Sequence, residues 1–479
     1  TKSGKLLSDL DLFENENKLF GEDRISFLPE PLLCHILSFL TTEQAVWTSV
    51  LSSRWRHLWK WVPRLELNTL DFTNDQLCVD FIHEFLAFQG KHYLREFKLT
   101  IDHDGLNSEV YLYKPCLGKV LDMRKLERFQ FQVENKFGAI DDIDDVIRTP
   151  LTLSACEALV CLKLHHVSLY ELVSLSLPCL KIMYLEDVVL PSDAAAEALI
   201  SCSPVLEVLK ICLSKDDSVV ALRVRSLSLK SFVLRRAEPF YARGRSVVID
   251  APKLERLSLM DYYHFRRFEI ISKAESFKVD IDVEFELMSD NFDYLSETKI
   301  ICNLVKDFSG VKDWTISWKT LEFIYIYPIP KLHDLTRLRA AMCLNASPKL
   351  MPIVLESCPN LKHLKLELVI DSPYAVSTRL STVLPRCLLS SLESVEMETP
   401  VTEIATELSL ARYFMKNSKK LEKLVLRLDE STGEQHKPGV LERLVKYSRR
   451  CKLSQFEVLP VVPTPSPWPG YVHVKSNRF

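Results

Sequence analysis

Ser357-Cys358-Pro359-Asn360-Leu361-Lys362-His363-Leu364-Lys365-Leu366 holds the fold in miniature. Leu361, Leu364 and Leu366 follow the pattern apolar-x-x-apolar-x-apolar, and the last two flank Lys365, so the segment predicts a short strand with one buried face. The same unit leads at Val62, Leu94, Leu126, Leu159, Leu180, Leu206, Leu229, Leu254, Ala274, Val311, Leu335, Leu361, Leu392, Leu421 and Leu453. Successive units lie 20–37 residues apart, the range of stacked solenoid repeats. Pro178, Pro204, Pro252 and Pro359 each stand two positions before a leading leucine, and Cys202-Ser203-Pro204 and Cys358-Pro359 repeat a small-residue entry to the strand. No single unit can cover its own apolar face. Stacking side by side buries a continuous core and leaves polar strand residues, among them Glu207, Lys210, Lys362, His363 and Lys365, on a concave surface.

Composition narrows the function. The 479 residues carry 61 basic and 64 acidic side chains, a net charge of −3, which argues against a nucleic-acid partner held by a basic body. No apolar run approaches the roughly 18 residues of a membrane span, and the start of the chain lacks a signal-peptide apolar region, so the expectation is an intracellular protein with no membrane partner. The 11 glycines never fall closer than six positions apart, which excludes dinucleotide fingerprints, P-loops and nucleophile elbows. The 13 cysteines contain no C-x-x-C pair, and buried free thiols are the expected reading. Asp141, Asp142, Asp144 and Asp145 lack the turn glycine of a calcium loop. No metal, cofactor or catalytic residue is expected.

The segment from Asp23, DRISFLPEPLLCHILSFLTTEQAVWTSVLSSRWRHLWKWVPRLEL, breaks the repeat period and predicts three short helices. The first begins near Pro29, where a fixed φ and a missing N–H do no harm. Its apolar positions form two stripes, Leu28/Leu32/Ile36/Phe39 and Leu33/Leu37/Leu40. Thr41 and Gln44 spell a capping box for the second helix. Ser52 or Ser53 is expected to cap the third, which carries Trp55, Leu58, Trp59 and Trp61. A helix apolar on nearly every side must be covered on every side, and about 45 residues cannot do that internally. Part of this surface is expected to meet a partner.

The residues Asp23-Arg24-Ile25-Ser26, Leu28-Pro29, Leu32-Leu33, Ile36-Leu37-Ser38, Leu40, Thr48-Ser49, Leu51-Ser52, Arg54-Trp55-Arg56 and Leu58-Trp59 resemble the plant-type F-box, with Glu30 where the family usually has Asp and Thr42-Glu43 where it commonly has a Lys. The repeats resemble the irregular leucine-rich repeats that follow plant F-boxes. Cys387-Leu388-Leu389-Ser390-Ser391-Leu392-Glu393, then Tyr413-Phe414 and Asn417-Ser418 leading to Leu421 and Leu424, resemble the FBD domain, read as strand–helix–strand–helix–strand. The expected fold is therefore α/β: a polar tail (1–22), a three-helix F-box (23–68), an irregular leucine-rich-repeat solenoid (69–383), an FBD segment continuing the array (384–459) and a proline-rich tail (460–479).

The resemblance implies a non-catalytic receptor subunit of an SCF-type cullin–RING ubiquitin ligase, in the nucleus or cytoplasm. Its partners would be a Skp-family adaptor, a cullin held through that adaptor, and an unidentified target protein on the repeats. Adaptor contacts would fall among Leu28, Pro29, Leu32, Leu33, Ile36, Leu37, Leu40, Trp55 and Leu58, some of which must instead form the internal core. An adaptor-bound scaffold, or a repeat-based interaction protein that delivers no substrate, is the alternative. Some plant relatives of this architecture hold an inositol polyphosphate, and Arg223, Arg225, Arg235, Arg236, Arg243 and Arg245 are the local basic cluster that could hold such an anion, or simply a solvated arginine-rich stretch.

Overall fold

In the computed structural model, each leading residue of the repeat stands at the first position of a parallel strand or two to three residues before one. The structure describes residues 25, 27–88, 94–103, 110–135, 149–213, 218–236, 245–261, 265–283, 305–306, 308, 310–318, 320–321, 330–343, 347–369, 384–400, 406–429, 445–446, 448 and 453–460. Both tails, the acid cluster at 141–145 and Arg243 lie outside these residues. Two compact units divide the chain, Thr1–Asp141 and Asp142–Phe479.

The first unit opens with α1 (Glu30–Leu37) and α2 (Thr42–Trp47). Pro29 is the N-cap of α1 in an extended conformation, and Glu30 places its charge in the first turn, where the helix dipole favours it. The helix stops at Leu37, so Phe39 and Leu40 of the two stripes lie beyond it. The capping box of α2 is present: Thr41 Oγ1 accepts from the Gln44 N–H and Gln44 Oε1 accepts from the Thr41 N–H, both at 3.2 Å. The third helix departs from expectation. Residues Trp55–Trp61 form a 3-10 segment with Arg54 at its N-cap and no side-chain cap from either serine. It ends at Val62, extended because Pro63 disfavours helical backbone in the residue before it.

The chain then enters β1 (Arg64–Asn68), α3 (Asp75–Phe88), β2 (Glu96–His103), α4 (Lys114–Leu121) and β3 (Arg128–Asn135), with β1-β2-β3 side by side and parallel. Leu65, Phe97 and Phe129 fall in register on the buried face, as do Leu67, Leu99 and Phe131. Asn74 Oδ1 caps α3 by accepting from the Leu77 N–H at 2.9 Å. That helix lays Cys78, Val79, Ile82, Phe85 and Leu86 into the core at helical spacing.

The second unit contains β4 (Thr149–Ala155), β5 (Cys161–His165), β6 (Val167–Ser176), β7 (Ile182–Val188), α5 (Asp193–Ser201), β8 (Val208–Leu213), β9 (Ala221–Arg225) and β10 (Ser231–Arg236). Next come β11 (Arg245–Asp250), β12 (Arg256–Asp261), β13 (Phe265–Ser272), β14 (Phe277–Val283), β15 (Val311–Ile316), β16 (Arg337–Cys343) and α6 (Ser347–Glu356). β17 (His363–Val369), α7 (Arg386–Ser390), β18 (Ser394–Pro400), α8 (Thr406–Asn417), β19 (Lys423–Asp429) and β20 (Gln455–Pro460) complete it.

Its main parallel ladder runs β5-β7-β8-β10-β12-β14-β15-β16-β17-β18-β19-β20. The repeat prolines explain how strands begin. Leu180, Leu206, Leu254 and Leu361 each donate their N–H to the carbonyl three residues earlier, at 2.9–3.3 Å, with the proline second in the turn, where its fixed φ is already correct. The triads Leu254/Leu257/Leu259 and Leu361/Leu364/Leu366 are buried, with Leu364 in register between Leu338 and Val395. Two flanking sheets, β4-β6 and β13-β11-β9, are not among the expected elements, and there strands rather than helices close the repeats. The β9 segment carries the same apolar-x-x-apolar-x-apolar spacing at Val219, Leu222 and Val224, all buried, so spacing alone does not separate a flanking strand from a ladder strand.

Candidate functional site

The first unit exposes more large apolar side chains than a free surface needs. On α1 the two sequence stripes part: Leu33 and Leu37 are fully buried, whereas Leu32 and Ile36, one turn apart, are 50% and 41% exposed. Around them Ile25, Phe27, Phe39, Trp47, Val50 and Leu51 also face solvent, Phe27 and Val50 by more than four-fifths. Leu28 and Leu40 are half-buried and Pro29 is exposed, while Trp55 and Leu58 join Leu33, Leu37, Ala45, Trp59 and Val62 in the core. The nine residues named from sequence thus divide into a solvent set (Leu28, Pro29, Leu32, Ile36, Leu40) and an interior set (Leu33, Leu37, Trp55, Leu58). Phe27, Trp47, Val50 and Leu51 were not on that roll. Their signal was large apolar side chains flanking short helices.

Hydrogen bonds to bare carbonyls hold this surface in place. The Arg54 guanidinium donates to the Leu28 carbonyl and that of Arg64 to the Leu40 carbonyl. The buried Thr42 hydroxyl accepts from the Glu66 N–H at 2.8 Å, tying α2 to β1. The 3-10 segment is fastened to the first repeat. Trp59 stacks on Phe81 and Phe85 of α3 with ring centroids 5.3 and 5.9 Å away, and Trp61 meets Phe88 edge-on at 5.5 Å. Lys60 lies over the Trp59 and Phe88 rings and pairs with Glu84 at 2.6 Å, which holds that carboxyl below its ordinary range.

The outward strand residues form the second candidate surface, and most of its charges are already matched. Lys362 pairs with Glu393 at 3.1 Å, His363 with Ser394 at 3.0 Å, Glu207 with Lys230 at 2.9 Å and Lys210 with Glu186 at 3.0 Å. Lys365 reaches Glu396 and Glu398 at 3.1 and 3.4 Å, and Arg427 Nε donates to Glu396 at 2.7 Å. Desolvation pushes the Glu396 pKa up, but the hydrogen bonds and charges of Arg427 and Lys365 outweigh it, and the net shift is downward.

The described arginines of the cluster are spread over three strands. Arg223 and Arg225 lie on β9 and both pair with Glu197, at 3.5 and 3.1 Å. Arg235 and Arg236 belong to β10 of the main ladder, and Arg245 begins β11 of the flanking sheet. Among the cysteines whose side chains are described, Cys78, Cys116, Cys156, Cys212, Cys358 and Cys387 are buried, and Cys179 is exposed. Burial pushes the thiols of Cys78 and Cys387 up to about 12 and those of Cys116 and Cys212 up to about 11, leaving them protonated and inert near neutrality.

Comparison with known proteins assigns all three segments. Residues 25–67 match the F-box domain, residues 125–279 match "FBD-associated F-box protein At5g56370, LRR repeats", and residues 381–426 match FBD. The chain is 58% identical over 471 residues to the F-box/FBD/LRR-repeat protein At5g18770 of Arabidopsis thaliana, covering 96% of this chain and 95% of that one. It is 49% identical over 446 residues to the FBD-associated F-box protein At5g18780 of the same plant, covering 92% and 98%. With a third, the FBD-associated F-box protein At1g66310, identity is 38% over 415 residues, covering 86% and 91%.

Proposed function

Because this chain belongs to the F-box/FBD/LRR-repeat family, we propose that it is the substrate-recognition subunit of an SCF-type cullin–RING ubiquitin ligase. The F-box would dock on a Skp-family adaptor, and through it on a cullin, while the leucine-rich repeats hold the target protein. The observation that carries this reading is the exposed apolar surface of the F-box. Fully burying Phe27, Leu32, Ile36, Phe39 and Trp47 would contribute roughly 1.5–3 kcal/mol each. Association costs about 4–15 kcal/mol, so the gross gain, roughly 7.5–15 kcal/mol at most, is of the size an adaptor interface requires.

The chemistry would belong to the partners. A receptor that holds a target lysine beside a ubiquitin thioester raises its effective concentration and needs no acid, base or nucleophile of its own. The aromatic junction of Trp59 with Phe81 and Phe85 favours a fixed direction of presentation from the F-box into the first repeats. We propose the nucleus or cytoplasm as its place of action.

The test is co-purification of the full chain with a Skp-family adaptor and a cullin, followed by ubiquitin transfer to proteins captured on the repeats. Adaptor binding with transfer supports the receptor reading. Adaptor binding with captured proteins that are never modified would instead indicate a scaffold.

A further inference from the structure

Most cations on the outward face of the main ladder have a carboxylate: Arg256 with Asp280 at 2.7 Å, Arg339 with Glu367 at 3.3 Å, Lys365 with Glu396 and Glu398, and Arg427 with Glu396. The stretch β5-β7-β8-β10 differs. In register across it run Lys163, Tyr184, Lys210 and Val233, and in the next outward row His165, Glu186, Cys212 and Arg235. Lys163 and Arg235 have no carboxylate partner among the described residues. Lys163 Nζ lies 5.2 Å from the Tyr184 ring centroid and Lys210 Nζ lies 6.0 Å from it on the other side. The half-buried Arg235 keeps its Nε shielded from solvent with no acceptor. Two further carboxylates stand nearby: Asp187 Oδ2 is bound to His166 Nδ1 at 2.6 Å, and Asp282 lies two strands beyond Arg235. Glu186 partners Lys210 of the patch at 3.0 Å.

The backbone supplies an independent observation. Apart from glycine, the described residues contain two positive φ angles, His166 at 58° and Asp187 at 49°, and both sit at the ends of β5 and β7 beside this patch. Such conformations cost energy, persist only where the surroundings enforce them, and concentrate at binding sites. Here they end one strand and bulge the other between Glu186 and Val188, fixing where His165 and Glu186 point.

We propose that Lys163, Tyr184, Lys210 and Arg235 form a docking site for an acidic, aspartate- and glutamate-bearing segment of the partner protein held by the repeats. With neighbouring strands about 4.8 Å apart, the cations span roughly 15 Å, enough for several carboxylates of an extended segment crossing the strands. The terminal N–H groups of the Arg235 guanidinium offer a fork suited to one carboxylate. Tyr184 holds both lysines upright and so reduces the ordering cost of binding. The proposal rests on the receptor reading, because it names the chemistry of the segment that the repeats capture.

The experiment measures fluorescence anisotropy on the full chain co-purified with its adaptor. The probe is a fluorescein-labelled peptide of alternating aspartate and serine, about 12 residues long and up to roughly 40 Å when extended. The expected result is saturable binding that the asparagine–serine peptide does not reproduce. K163E/R235E should weaken it at least about tenfold, K163R should retain it, and K253E, on the exposed turn that precedes β12, should leave it unchanged. Equal binding of the aspartate and asparagine peptides, or K163E/R235E binding like the parent, overturns the proposal. So does binding that appears only in D141N/D142N/D144N/D145N, since the occupant would then be the chain's own acidic segment. Adaptor retention is scored in the same samples: its loss counts against the receptor reading, and a missing peptide preference with the adaptor retained counts against this site alone.

Discussion

Leu32 and Leu33 are neighbours in sequence with opposite tasks. Leu33 is fully buried, so Leu33→Ala removes packed side-chain volume and should cost about 2–5 kcal/mol of unfolding free energy. Leu32→Ala acts at a half-exposed position and should stay within about 0.5 kcal/mol. Denaturant titration of the two variants checks this directly, and equal losses would mean that the interior and the surface have been assigned wrongly. Trp59 and Lys60 offer a second contrast. Trp59 is buried against two phenylalanines, and Trp59→Ala should cost roughly 3–5 kcal/mol. Lys60 pairs with a Glu84 side chain that is 72% exposed, so Glu84→Gln should change stability by less than about 1 kcal/mol. Packing dominates this junction, and the ion pair decorates it.

Among the elements, the capping box of α2 and the charged rungs of β17-β18-β19 make separable contributions. Thr41→Ala removes one partner of a reciprocal cap and should cost about 1 kcal/mol, read as a lowered thermal midpoint. Glu396 is titratable, and its folded pKa lies below the ordinary glutamate value of about 4.3. A depressed carboxyl stabilises the fold above its unfolded pKa and loses that stabilisation as pH falls through the folded value. Glu396→Gln should therefore lower stability at pH 7, leave it nearly unchanged in strong acid and flatten the acid limb between. An identical acid limb in both proteins would contradict the Lys365–Glu396–Arg427 network. These elements also show what could be read from sequence. The Thr41/Gln44 cap and the ladder strands were legible because capping and one-sided burial impose fixed spacings. The 3-10 form of Trp55–Trp61 was not, because Ser52 and Ser53 resemble helix caps in sequence while neither caps the segment. The division of Leu32 from Leu33 was equally hidden: both are leucines, and only the packing of α1 against Trp55 and Leu58 separates them.

At the scale of the whole molecule, the F-box does not end where its sequence match ends. Trp59 and Lys60 pack on α3, and β1, the last strand of the matched segment, is hydrogen-bonded to β2. A fragment of residues 23–68 leaves Trp59 and the edge of β1 uncovered and should lack a cooperative unfolding transition, whereas residues 23–135 should show one. Circular dichroism on the two fragments distinguishes them. The central claim is that the exposed apolar set of the F-box, and not its interior, captures the adaptor. The most direct measurement is the dissociation constant of a Skp-family adaptor for the full chain, compared with Leu32→Ala/Ile36→Ala, with thermal unfolding recorded alongside. The expected result is binding weakened by at least about tenfold in the double variant at an unchanged midpoint. Equal affinity in the two proteins, or a parent chain that binds no adaptor, would contradict it.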